Sequence, residues 1–131
     1  MKALIPQINL LLAWLWILLG FATGMIMGMF FHHDNWLGGY GSLKRRMYRL
    51  GHISLSALGA LNLLFYFTAK LFPATSPLAS VASWAFVAGA ISMPVCCVIM
   101  AHQPKAHAIF AVPVVSLIAG GLLTLLEVIK L

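Results

Sequence analysis

The apolar positions of this chain neither alternate nor form narrow stripes. They run on in four long blocks, approximately 8–31, 47–72, 78–100 and 108–129, separated by short polar connections. A helix needs roughly 20 apolar residues to cross a hydrocarbon core about 30 Å thick, so each block predicts one crossing. Membrane barrels are built from alternating segments of about ten residues, and the sequence contains none. The predicted fold is all-α: a four-transmembrane-helix up-down bundle, with residues 1–131 as one membrane domain and antiparallel neighbours.

Composition strengthens this reading. Hydrophobic residues make up 63% of the chain and charged residues 8%, against about 25% charged in a soluble domain. The first block follows Met1-Lys2, as a signal peptide would. It runs well past the roughly 7–15 apolar residues of a signal sequence, with no small-residue cleavage site before a polar chain, so an uncleaved first span is expected. The net charge of +6 does not point to nucleic acid. The cations sit at block ends, with no basic helix face and no aromatic RNA-reading motif.

Charge also predicts orientation. Lys44, Arg45, Arg46, Arg49 and Lys105 fall on one side, and Lys2, Lys70 and Lys130 on the other, where Glu127 offsets Lys130. Five cations against three place the first and third loops in the cytoplasm and both termini outside, an N-out/C-out topology. The expected location is an integral membrane with several crossings, which for a bacterial chain is the inner or plasma membrane.

One long polar interruption stands out, from Met25 to His52, containing the basic loop 32–46. It holds four of the eight Lys and Arg residues, one of the two carboxylates and three of the five histidines. Ser42 follows Gly38-Gly39-Tyr40-Gly41 and is placed to cap the second helix. Lys44, Arg45 and Arg46 then occupy its first turn, where cations oppose the helix dipole. An anion would reverse that sign, so Ser42, Lys44, Arg45 and Arg46 are candidates for binding acidic lipid head groups.

Within the blocks, Gly20, Gly24 and Gly28 form a small-residue stripe that admits another helix backbone, from this chain, a second copy or another membrane subunit. Along the second helix, His52, Leu55, Gly59, Asn62 and Tyr66 share a face. Asn62 is expected to point into the bundle, because an unpaired amide in hydrocarbon is costly. Pro77 is placed to start the third helix. Pro94 and Pro113 are expected inside helices three and four, bending both at the histidine end. The adjacent Cys96 and Cys97 read as small buried apolar residues, since vicinal cysteines rarely bridge.

Topology then gathers chemistry. His32 and His33 end the first helix, His52 lies about one turn inside the second, His102 follows the third and His107 opens the fourth, so all five fall on one side. Met25, Met27, Met29, Met47, Met93 and Met100 share that half. Three site readings follow. A b-type haem would take His52 and His107 as axial ligands, with small neighbours to admit the ring and Arg49 for a propionate. Copper would take Met25 and Met29, one turn apart, with His32 and His33. A quinone would contact His52 with Asn62 or Tyr66. Hydrolysis by paired carboxylates is excluded, because Asp34 and Glu127 belong to opposite faces. The expected role is redox-associated: a haem b-binding protein, or a small subunit of a respiratory-type membrane complex without independent catalytic activity. A non-catalytic assembly or interaction subunit is the alternative, and copper handling the third reading.

Overall fold

The computed structural model describes residues 4–131 apart from residue 75, with the side chains of residues 4–6 also left aside. Lys2, one of the cations used to orient the chain, lies outside the described residues. Every regular element among them is helical. In chain order these are α1 (Leu4–Phe30), a short 3₁₀ turn (Trp36–Gly38), α2 (Leu43–Ala69), α3 (Pro77–His102), a 3₁₀ segment (Pro104–Phe110) and α4 (Ala111–Ile129). All four long helices are long and apolar enough to cross a membrane, the fourth taken together with its 3₁₀ lead-in.

The helix ends follow local chemistry. Ser42 caps α2, its Oγ accepting from Arg45 N at 3.1 Å. Ser76 caps α3 by accepting from Ala79 N at 3.2 Å, and Pro77 opens the helix where no donor is needed. The second helix stops at Ala69, short of the apolar block, because Pro73 biases Phe72 away from helical geometry. The fourth starts at Ala111 rather than 108, which places Pro113 in its first turn. Pro113 therefore does not interrupt the interior of α4, as its position in the apolar block suggested. The lead-in is wound as 3₁₀ instead, and His107 sits there rather than opening a helix. Pro94 is inside α3 as expected.

Packing contacts give the up-down arrangement directly. Along α1 and α2, Gly59 meets Ala13 and Ile17, Gly20 meets Ser56 and Gly24 meets His52, so one helix ascends as the other descends. Phe65 against Phe86, Gly51 against Cys97 and Tyr48 against His102 give the same reversal for α2 and α3. Gly120 against Phe86 and Gly89 against Leu117 repeat it for α3 and α4. The arrangement is not a square, because α4 packs chiefly on α3, whereas α1, α2 and α3 pack mutually.

Burial is concentrated at the junction of the first three helices. Leu12, Leu58, Val87 and Ala90 form one cluster and Phe65, Ala82 and Phe86 another. Between α1, α2 and α3 lies a polar knot. The Asn9 amide donates to Asn62 Oδ1 at 2.7 Å, Ser83 Oγ donates to Asn9 Oδ1, and Asn62 Nδ2 donates to Leu58 O at 2.9 Å. All three residues are buried. Asn62 thus points inward as expected, with Asn9 as its partner on the neighbouring helix and Ser83 bonded in turn to Asn9.

Candidate functional site

The same contact ladder brings all five histidine positions to one end, opposite the asparagine knot. There, α1 and α2 part around a cleft of about 300 Å³ lined by Gly24, Met27, Gly28, Phe31, Arg49, His52 and Ile53. Its walls are apolar and its polar groups few, which is the usual character of a small-molecule site.

His52 is the best-defined group in it. Thr23 Oγ1 lies 2.8 Å from Leu19 O and 3.2 Å from Gly20 O, and 2.9 Å from His52 Nδ1. The threonine has one proton, and the carbonyls can only accept. The hydroxyl therefore donates to the backbone and accepts from Nδ1–H. That tautomer leaves Nε2 as a free acceptor, and no side chain among the described residues donates to it. The ring is held by shape as well: a Cβ on Gly24 would stand 2.8 Å from His52 Cε1 and 3.3 Å from Nε2. Arg49, one turn earlier, is half-buried in the same cleft, and its side chain has no hydrogen-bond or ion-pair partner among the described residues.

At Phe31 the cleft adjoins a clasp that sequence reasoning missed. Arg45 is fully buried. It donates from Nη2 to Phe31 O at 2.6 Å and from Nη1 to His33 O at 3.3 Å. Its guanidinium stacks 3.8 Å from the Tyr40 ring centroid and lies 4.8 Å from that of Phe31 and 5.2 Å from that of Trp36. Tyr40 Oη also donates to Phe31 O, at 2.8 Å. Gly38 and Gly39 turn the loop with φ of 84° and 95°, values only glycine adopts freely. Ser42 Oγ ties the turn down by donating to Leu37 O. Arg45 is thus turned inward, away from the anion role expected of it, while Ser42, the helix cap, is spent on backbone groups. Lys44 and the exposed Arg46 remain on the outside.

The other predicted groupings are not assembled. His107 is exposed on the 3₁₀ segment that packs against α3 and α4, whereas the His52 ring lies on α1. The two do not face one another as axial haem ligands must. Met25 and Met29 are 67% and 60% exposed and point away from the core, and it is Met27, 8% exposed, that lines the cleft. The His32 and His33 rings lie 4.3 Å apart at the exposed loop. No group of three or more His, Cys, Asp or Glu placed to hold a metal ion occurs among the described residues. Asn62 is ten residues from His52, about 15 Å along a helix, and is committed to the knot. Tyr66 is a turn further away, under Lys70 Nζ at 4.5 Å. Neither can share one ring-sized ligand with His52. Of the glycine stripe, Gly20 and Gly24 are filled by α2, and only Gly28 has open space where a Cβ would stand.

Comparison with known proteins found no matching family model, no matching curated protein and no matching solved structure.

Proposed function

We propose that this is a multi-pass membrane protein, oriented N-out/C-out, that binds the head of an isoprenoid quinone or quinol in the cleft between α1 and α2, as a redox-associated subunit of a larger membrane complex. The observation that carries the reading is the contact of Thr23 Oγ1 with His52 Nδ1 at 2.9 Å, from which the tautomer follows. With Nδ1–H held by Thr23, Nε2 is an acceptor over a glycine floor, suited to the hydroxyl of a quinol. Arg49, without a partner of its own, offers donors to a ring oxygen. Phe31, Met27 and Ile53 provide apolar walls, and an aromatic face beside a flat ring is favourable. A volume of about 300 Å³ is at the small end of ligand sites, adequate for one substituted ring. A macrocycle held by two histidines is disfavoured by the separation of His52 from His107, and copper by the outward-facing methionines.

The test is calorimetric titration of detergent-purified protein with a short-tailed benzoquinol. The wild type should bind, His52→Ala and Arg49→Ala should each weaken binding about tenfold or more, the loss of roughly 1.4 kcal/mol, and His107→Ala should bind like the wild type. Equal binding by His52→Ala, or none by the wild type, rejects the assignment.

A further inference from the structure

The cleft has a closed side and an open side. We infer that it opens laterally, over Gly28, to the hydrocarbon layer, and that its occupant is an amphiphile whose polar head lies between His52 and Arg49 while its tail leaves past Gly28. This rests on the cleft being the ligand site proposed above, and adds the class of ligand and its route of entry.

Two walls are fixed. Deeper in the bundle, Gly20 is filled by the Ser56 side chain and Gly24 by the His52 ring, so nothing passes between α1 and α2 there. Toward the loop, Phe31 lines the cleft, and its carbonyl is held by both Arg45 and Tyr40. Only at Gly28 is the wall missing, since a Cβ there would meet no atom within 4 Å. Met25 and Met29 beside the gap on α1, and Ile53 across it on α2, are apolar and exposed, a surface suited to acyl or prenyl chains and not to water. A cation and an imidazole lie inside an opening rimmed by such side chains, and that pairing selects a molecule polar at one end and apolar at the other. The head must supply an oxygen acceptor for Arg49 and a hydroxyl for Nε2. A quinol ring does so, and so does the phosphoglycerol head of an acidic phospholipid.

The experiment uses wild type and Gly28→Leu in phosphatidylcholine nanodiscs. A Cβ at this position meets nothing in the protein and leucine is a better helix former than glycine, so the backbone is undisturbed while the longer side chain fills the gap. Two photoreactive probes carry a diazirine in the tail, one a benzoquinone and the other a phosphatidylglycerol, and the readout is labelling of the buried Met27. A third probe, the quinol ring without a tail, is titrated by calorimetry. The expected result is Met27 labelling by the tailed quinone in the wild type, at least tenfold less in Gly28→Leu, with the tailless ring binding the wild type. Labelling by phosphatidylglycerol alone, again lost in Gly28→Leu, upholds the portal and replaces the quinone with a phospholipid. No labelling of Met27 by either probe, or equal labelling of wild type and Gly28→Leu, overturns the portal, and tailless binding that persists then leaves the quinone reading standing.

Discussion

Trp16 Nε1 donates to Ala90 O at 2.7 Å, and Ala90 is the residue whose carbonyl Pro94 leaves without an intrahelical donor. A proline four residues on removes the N–H that would close that turn. An indole from α1 takes its place, so the break in α3 becomes a joint between the two helices. Nearer the loop, Cys96 Sγ lies 3.5 Å from Ile109 O, a contact between α3 and the 3₁₀ lead-in to α4.

Trp16→Phe keeps the ring and removes the donor, leaving Ala90 O unsatisfied. The variant should lose about 1–3 kcal/mol of stability, measured by reversible unfolding in mixed detergent micelles. Adding Pro94→Ala restores a backbone donor, so the double variant should recover most of the loss. A double-mutant cycle with no coupling would show that the indole contact contributes nothing beyond packing.

The glycine stripe of α1 should prove unequal. Gly20→Leu drives a side chain into Ser56, and Gly59→Leu drives one into Ala13 O, where even a Cβ would stand at 3.0 Å. Each should destabilise the α1–α2 pair by about 1–3 kcal/mol, as overpacking does. Gly28→Ala meets nothing and should be neutral or gain up to about 1 kcal/mol of helix propensity. Equal effects at Gly20 and Gly28 in the same unfolding assay would contradict the packing described here.

Asn9 and Asn62 should be coupled. Asn62→Leu leaves the Asn9 amide without its partner, at a cost of about 1–2 kcal/mol for an interhelical bond of this kind. Changing both to leucine removes the need along with the bond, so the double variant should be less unstable than the sum of the singles. Strict additivity would mean that the two amides do not depend on each other.

The three consecutive cations of α2 should divide by function. Arg45→Lys cannot span two carbonyls and stack on three rings, and should raise amide exchange across residues 31–42 about tenfold or more, the equivalent of roughly 1.4 kcal/mol. It should leave acidic-vesicle binding unchanged, because the guanidinium is buried. Lys44→Gln with Arg46→Gln should do the reverse, weakening vesicle binding by about 1 kcal/mol per charge and leaving exchange as it was. Vesicle binding that tracks Arg45 instead would return that residue to the surface.

What the sequence determined by itself was whatever depends on length, charge and one-dimensional order. Four uninterrupted apolar blocks require four helices, because only internal hydrogen bonding satisfies a backbone in hydrocarbon. Short connections require alternation, and alternation alone places His32, His33, His52, His102 and His107 at one end. Ser42 and Pro77 announced their helices because caps are local chemistry. The tertiary structure decided everything that depends on rotation about a helix axis and on which helix is the neighbour. Periodicity put His52 and Asn62 on one face of α2, but only the approach of α1 revealed Thr23 and Asn9 as their partners. Likewise nothing in the run Lys44-Arg45-Arg46 says which cation turns inward, since that depends on where Phe31, Trp36 and Tyr40 converge after the loop closes. His52 and His107 were separated for the same reason: a shared depth fixes one coordinate of a side chain, and only packing fixes the direction it faces.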